Sequence, residues 1–189
     1  FYGLSSPCPS ISRAINYLGM NTVRSLVLGF SLVESFRSPE GAEDFDFVGH
    51  WRRAMYGAVA ARLLCARTRA CDGDEAFIAS MLRDVGALAA AIAIGDEYTD
   101  LVAETGGKHS DLATLERRAY ECDHARFGAE LTRSWKLPEE ISHAIAHHHD
   151  LASKAPKEPL TRAVYFASLA ADAVSTNAEE ADRAMQRLA

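Results

Sequence analysis

Apolar residues recur at steps of three and four along most of this chain, and that spacing is typical of helices that bury one face. The clearest run has apolar residues at Phe77, Ile78, Met81, Leu82, Val85, Leu88, Ala89 and Ile92. Asp74 and Glu75 precede it, and acidic side chains stabilise the positive end of a helix dipole. The pattern therefore predicts one long amphipathic helix from Phe77 to Ile92.

Similar periodicity predicts helices before and after this run. They cover Ile11–Leu18, Thr22–Phe36, Val48–Ala66, a segment from Asp123 to Trp135, a segment that restarts at Pro138, Leu160–Val174 and the polar stretch Ala178–Leu188. No segment alternates cleanly between polar and β-branched apolar residues, so the sequence predicts no sheet. The expected fold class is all-α, a compact bundle of about eight to ten helices.

Composition and charge limit the classes of function that we expect for this chain. The chain has 189 residues, 48% of them hydrophobic, which is enough for one domain with a core. Its 20 Lys and Arg residues and 26 Asp and Glu residues give a net charge of −6, so binding to nucleic acid or to a membrane surface is not expected. No uninterrupted apolar run approaches ~18 residues, and we expect no transmembrane helix.

The ends of the chain and its cysteines indicate a cytoplasmic part of a longer protein. Phe1 is not an initiator Met, and no basic signal-like region follows it. The four cysteines, at positions 8, 65, 71 and 122, lack CxxC spacing. We expect them to be reduced, since a chain of this size does not need disulfides for stability.

Five histidines crowd the second half of the chain: His124, His143, His147, His148 and His149. His143 and His147 are four residues apart on one predicted helix, a spacing that can place two ligands on one metal. The glutamate of an HExxH motif is absent between them. A partly exposed polar helix end remains the alternative for His143 and His149.

Asp84 and Asp172 each lie in apolar surroundings on a predicted helix. An unpaired buried carboxylate is costly, so each needs an ion pair or a cap. Neighbouring residues on a helix do not face each other, and Arg83 is therefore not expected to pair with Asp84. The partner of Asp84 must come from elsewhere in the fold.

Several segments in order resemble one family. Residues 81–86, MLRDVG, are similar to the LLHDIG signature of HD-type metallophosphohydrolases, with Arg83 at the histidine position. Residues 1–19 and 51–54 resemble the "NSAxYG…SIxxAIxxLG" and "WxHS" stretches of the HDOD domain, the regulatory branch of that superfamily. Residues 124–148 resemble its "HAxVGAxLLxxWxLPxxIxxAIxxHH" stretch. The order and spacing of these segments make the resemblance specific.

The resemblance implies a multi-helix HDOD bundle over residues 1–175, with residues 176–189 as a C-terminal helical tail. It also implies that further N-terminal helices of the domain precede Phe1. The positions that correspond to the metal site of HD enzymes hold Arg53, Arg83, Asp84, His124, His147 or His148, and Asp172.

Two of these positions hold arginine where HD enzymes have histidine, and a guanidinium has no lone pair for a metal. The resemblance therefore implies a degenerate site with no catalytic residue and no cofactor. The alternative is a divalent transition metal, for which Asp84, His124, His147 and Asp172 would be the ligands. His50, three residues before Arg53, is a weaker candidate for a restored ligand.

The arginines suggest how a metal could be replaced. A guanidinium brings a fixed positive charge and a planar fork that suits carboxylates. We hypothesise that Arg53 and Arg83 substitute for the metal by pairing with Asp84 and Asp172. The alternative is that one or both arginines extend into solvent.

The expected function is that of a non-catalytic bacterial signalling or regulatory domain. It would bind a signalling protein partner, a fused signalling domain or a small ligand at the degenerate cleft, and a homo-oligomer is compatible with the sequence. The alternative is a metal-dependent phosphohydrolase acting on a nucleotide or cyclic dinucleotide. Nucleic-acid or nucleotide binding through the arginines at 52, 53, 62, 67 and 69 is a third reading, which the acidic balance disfavours.

Overall fold

The computed structural model describes residues 44–106, 109–150 and 158–175 of the chain. Every regular element in these ranges is a helix: α1 Phe47–Thr68, α2 Gly73–Leu82, α3 Val85–Ile94, α4 Asp96–Glu104, α5 His109–Tyr120, α6 His124–Ser134, α7 Glu139–Ala146 and α8 Pro159–Ser175. The expected all-α class is confirmed. The predicted helices at 11–18, 22–36 and 178–188 lie outside the described residues.

Aspartates are the N-caps of three helices. The Asp46 carboxylate accepts a hydrogen bond from Gly49 N at the start of α1. Asp72 accepts from the backbone nitrogens of residues 74 and 75 in α2, and Asp123 accepts from Arg126 N in α6. Each cap satisfies backbone N–H groups that the first turn of a helix leaves unpaired.

The predicted single helix from Phe77 to Ile92 is wrong, because the chain breaks between α2 and α3. Arg83 ends α2, and Asp84, at φ −101° and ψ 13°, starts α3. The apolar stripe continues across this break, which is why periodicity alone does not reveal it. The break turns the side chains of Arg83 and Asp84 toward the same place.

The core is built from small residues that let the helices approach closely. Its largest cluster joins α1, α2, α3, α6, α7 and α8 through Ala61, Cys65, Ala76, Ala79, Leu82, Val85, Ala129, Ile141, Ala144, Ile145, Leu160, Ala163, Val164 and Ala167. A second cluster surrounds Tyr98, which is 1% exposed, between α3, α4 and α5. Leu82 and Val85, which flank the junction of α2 and α3, both belong to the largest cluster.

The segment Gly73–Ile94, which contains α2 and α3, is long and apolar enough to cross a membrane by length and composition alone. However, 72% of its most apolar window is buried inside the fold. That burial is typical of a core helix, so the apolar character of the segment is explained by packing.

Cys65 and Cys71 are joined by a disulfide, with their Cα atoms 5.6 Å apart. The sequence predicts reduced cysteines and no CxxC pair, whereas the turn after α1 brings these two residues together. Cys122 is a free thiol, as expected.

Two glycines permit close approaches that position the site. A Cβ on Gly86 would lie 2.0 Å from the His124 carbonyl oxygen, where α3 crosses α6. A Cβ on Gly57 of α1 would lie 2.1 Å from Arg83 Nη1. Gly86 therefore requires the absence of a side chain, because its neighbour is backbone, whereas a side chain at Gly57 would displace the Arg83 guanidinium.

We predict that Gly86→Ala lowers the free energy of unfolding by about 2–3 kcal/mol, because the backbone of α6 cannot yield to the added methyl group. Urea denaturation measures the change. Gly73→Ala is the matched control, since its Cβ would meet Arg62 Cγ at an ordinary 3.5 Å. Equal effects of the two substitutions would contradict the predicted close approach.

Candidate functional site

The carboxylate of Asp84 lies at the centre of a buried cluster of charged and imidazole side chains. Asp84 is 2% exposed and projects from the first position of the α2–α3 break. Its Oδ2 accepts a hydrogen bond from Arg53 Nη1 at 2.5 Å and lies 3.1 Å from Arg83 Nε. One oxygen of this carboxylate thus faces two guanidinium groups.

Arg53, from α1, connects Asp84 to α8. Its Nε donates to Asp172 Oδ1 at 2.6 Å, while its Nη1 donates to Asp84 Oδ2. The Arg53 side chain is 13% exposed and the Asp172 side chain 35% exposed, so the outer ion pair lies nearer the surface. The guanidinium therefore holds two carboxylates from different helices together.

Arg83 is fully buried, with no exposed surface. Its Nη1 donates to the carbonyl oxygen of Ser80 at 2.9 Å, in the space that Gly57 leaves open. Burial lowers the pKa of Arg83 to about 10, against the opposing effect of Asp84. The group remains positively charged at neutral pH.

The other oxygen of Asp84 faces imidazoles. Asp84 Oδ1 lies 3.3 Å from His148 Nε2 and 3.5 Å from His124 Nε2. His149 Nε2 lies 2.8 Å from His124 Nε2. One potential ligand atom from each of these four residues falls within 4.8 Å of every other. The carboxylate thus has an arginine side and a histidine side.

Two of the imidazoles are oriented by hydrogen bonds at their far nitrogens. His148 Nδ1 donates to the Ile145 carbonyl oxygen at 2.7 Å, and His124 Nδ1 donates to Glu116 Oε2 at 2.6 Å. Glu116 is 2% exposed and also accepts from the hydroxyl of Tyr98. These bonds direct both Nε2 atoms toward Asp84, an orientation that is common among metal-bound histidines.

The two imidazoles have opposite pKa shifts. Burial disfavours the charged form of His124, but hydrogen bonds and charges from Asp84 and Glu116 outweigh burial and raise its pKa to about 9. Burial lowers the pKa of His148 below its usual value. Arg53, Arg83 and His124 therefore face the carboxylates of Asp84, Glu116 and Asp172.

The structure brings together six of the residues that the sequence nominates: Arg53, Arg83, Asp84, His124, His148 and Asp172. His147 is excluded from this cluster. Its Nδ1 lies 2.7 Å from Asp150 Oδ2 near the surface, because α7 ends at Ala146 and the next three side chains diverge. Of the two alternatives at this position, His148 and not His147 belongs to the converging group.

Three further candidates lie at different distances from the converging ligand atoms. Arg83 contacts Asp84, as the hypothesis of arginine–carboxylate pairs expects, because these adjacent residues lie at a helix break and not within a helix. Asp172 pairs with Arg53 and lies outside the group of converging ligand atoms. His50 stacks edge-on against Trp51, 5.4 Å between ring centroids, and is likewise outside that group.

Two residues of the site, His149 and Glu116, are not among the predicted ones. The sequence suggests a polar helix end at His149, but α7 ends at Ala146, so His147, His148 and His149 point in different directions. Glu116 follows Leu112 by four residues, so it lies on the apolar face of α5 as a carboxylate. That placement is the same signal that identified Asp84, and it could have identified Glu116.

The donor set fits a metal on one side of Asp84 only. Three imidazoles and Oδ1 form a compact set with two oriented histidines, a chemistry that suits a transition metal. The opposite side holds Arg53 and Arg83, whose guanidinium groups cannot act as ligands. A metal shared between Asp84 and Asp172 therefore does not fit this structure.

Comparison of the sequence with models of protein families identifies the family of this chain. A model of the HDOD domain matches residues 1–151. The chain belongs to the HDOD domain family. No curated protein matches this HDOD chain.

Solved structures share the fold of this HDOD domain. An HDOD domain protein of unknown function from Geobacter sulfurreducens has 25% identity and a TM-score of 0.77, with 89% of this chain and 56% of that chain covered. The MmoQ response regulator from Methylococcus capsulatus has 28% identity and a TM-score of 0.61, with 90% and 67% covered.

A putative phosphohydrolase from Shewanella amazonensis has 24% identity and a TM-score of 0.73, with 92% of this chain and 61% of that chain covered. At that identity the similarity shows the fold alone. This HDOD chain therefore spans little more than half the length of the Geobacter and Shewanella structures.

The raised pKa of His124 predicts a pH-dependent stability. His124 binds its proton more tightly in the folded state (pKa about 9) than in the unfolded state (6.5), so its stabilisation is complete below pH 6.5 and is lost as the pH rises through 9. We expect the free energy of unfolding to fall by on the order of 2 kcal/mol over this range. Urea denaturation in the presence of a chelator measures it.

His124→Gln is the control for this pH dependence, since glutamine does not titrate. The variant should show a flatter profile between pH 6.5 and 9. A decline of the same size in both proteins would assign the effect to other groups and refute the role of His124.

Proposed function

We propose that this HDOD domain is a cytoplasmic regulatory module of a bacterial signalling protein and that it does not hydrolyse phosphate esters. The observation that supports this proposal most directly is the Arg53 guanidinium, which bridges Asp84 and Asp172 at 2.5 and 2.6 Å. A side chain of this protein thus occupies the place between two carboxylates that a catalytic metal would need.

Charge balance supports the same conclusion. Two buried carboxylates repel each other unless a cation lies between them. Arg53 and Arg83 supply that positive charge permanently, and the protonated imidazole of His124 neutralises Glu116. The carboxylates thus already have cationic partners, and a divalent cation would have to displace an ion pair or a proton.

The cavity beside Arg53 offers a place for a small ligand. It has a volume of about 290 Å³, and its wall includes Phe45, His50, Arg53 and Thr99. A ligand with an anionic group could exchange for Asp172 on the guanidinium, because that outer ion pair is the more exposed one. Such an exchange would remove the ion pair between α8 and α1, and it would favour helix arrangements that do not need this ion pair.

A signalling partner is the second part of this proposal. The MmoQ protein, 28% identical to this chain, is described as a response regulator. A domain that contacts a separate signalling protein or a fused signalling domain would fit that setting. Self-association is compatible with this role. Binding to membranes or to nucleic acid is not part of the proposal.

We predict that tag-free protein shows no turnover of phosphomonoesters, nucleotides or cyclic dinucleotides above background with Mn²⁺, Fe²⁺ or Ni²⁺. The double variant Arg53→His/Arg83→His should gain affinity for Mn²⁺, since both changes replace a guanidinium with an imidazole ligand. Isothermal titration calorimetry measures that affinity, and a phosphate-release assay measures turnover.

Arg53→His alone is the control. It keeps the buried Arg83, so it can still be measured if the double variant does not fold. Circular dichroism checks the fold of each. Turnover by the wild-type protein would overturn the proposal of a non-catalytic domain. Failure of a folded double variant to bind Mn²⁺ would refute the idea that the arginines replace a metal.

The histidine side of Asp84 favours a second candidate function, that of a metal-dependent phosphohydrolase with a single metal. Asp84, His124, His148 and His149 would hold the ion on the side away from the arginines. A bound transition metal would supply Lewis acidity and an activated water. The chain itself would orient the ligands, through Glu116 at His124 and the Ile145 carbonyl at His148.

For this second function we expect one tightly bound transition metal per chain in tag-free protein, measured by mass spectrometry. His149→Ala should lose the metal, because it removes a ligand atom of the converging group. His147→Ala is the matched control, since its imidazole points to Asp150. Wild-type protein purified without metal from metal-supplemented cells would exclude this candidate.

A further inference from the structure

His143 and His147 form a pair of neighbouring imidazoles at the end of α7. The backbone nitrogen of His147 donates to the carbonyl oxygen of His143 at 3.2 Å, so the helical turn continues as far as His147. The centroids of the two rings lie 4.4 Å apart. Neither residue belongs to the group of ligand atoms that converges near Asp84.

The spacing of this pair suits a transition metal. Side chains at i and i+4 lie on the same face of a helix, and their rings can approach one ion together. A metal at about 2.0–2.1 Å from each of two imidazole nitrogens brings these nitrogens within about 4 Å of each other. Rings whose centroids lie 4.4 Å apart need only rotate about their side-chain bonds to meet this condition.

Asp150 orients the imidazole of His147. Its Oδ2 lies 2.7 Å from His147 Nδ1, and because a carboxylate can only accept, Nδ1 donates this bond. In the neutral ring the lone pair is therefore on Nε2. A carboxylate at the far nitrogen is a common orienting partner of metal-bound histidines. The His147 side chain is 44% exposed, so the pair is open to ions from solvent.

Acidic side chains next to the pair attract cations. His143 lines a cavity of about 490 Å³ whose wall also includes five acidic residues: Asp72, Glu75, Glu139, Glu140 and Glu158. Glu139 is paired with Arg133, but the other four carboxylates leave the wall negatively charged. A concave surface with charges of one sign raises the local concentration of ions of the opposite sign.

We propose that His143 and His147 together bind one divalent transition metal ion on the surface of the domain. Their imidazole nitrogens are the protein ligands, and water completes the coordination shell. Imidazole favours Cu²⁺, Ni²⁺ and Zn²⁺, whereas Mg²⁺ and Ca²⁺ prefer oxygen ligands.

This surface site is distinct from the candidate metal group at Asp84. With two protein ligands it exchanges its ion readily with solvent, so a chelator removes the ion and purification does not retain it. Metal that stays with the protein through purification therefore does not report on this site, and a titration with added metal does.

Isothermal titration calorimetry with Ni²⁺ on the chelator-treated, tag-free 189-residue chain tests the proposal. We expect the wild-type protein to bind Ni²⁺ with an affinity that falls at least tenfold in His143→Ala and in His147→Ala. Each of these variants leaves a single imidazole, which cannot hold the ion from two sides. Circular dichroism checks the fold of each variant.

His50→Ala is the matched control, because it removes a partly exposed histidine of α1 and leaves the pair intact. It should retain the wild-type affinity. Absence of Ni²⁺ binding by the wild-type protein, or equal affinities of the wild type and His143→Ala, would overturn the proposal. Binding that His149→Ala removes and His143→Ala retains would also overturn it, because the ion would then belong to the group at Asp84.

Discussion

The carboxylate of Asp84 sets the requirements for the rest of the site. It is almost fully buried, and a buried negative charge is tolerated only when cations and hydrogen-bond donors surround it. Arg53 and Arg83 meet this need at Oδ2 with contacts of 2.5 and 3.1 Å. The surrounding helices are arranged so that both guanidinium groups reach that single oxygen.

Several local features follow from that requirement. The break between α2 and α3 brings Arg83 and Asp84 together, and Gly57 leaves room for the Arg83 guanidinium. Gly86 lets α3 approach α6, which carries His124 to the other oxygen of Asp84. Backbone packing and electrostatics are therefore coupled at this junction.

The two sides of the Asp84 carboxylate suit different kinds of contact. The arginine side carries permanent positive charge and joins α1 to α8 through Asp172, which suits a structural or regulatory contact. The histidine side keeps imidazoles in an orientation that suits a metal ligand. Membership in the HDOD family is compatible with the first use, and the protein's own donor atoms leave the second open to direct measurement.

The sequence by itself determined the all-α class, the family and six of the clustered residues, because helical periodicity, caps and motif spacing are local properties. It did not reveal the break at Arg83, because the apolar stripe continues across it. It left His147 and His148 as alternatives at one position, and it did not include His149 and Glu116. Only the tertiary structure decided these points, since the directions of side chains beyond a helix end, and the partner of a buried carboxylate, depend on how distant helices pack.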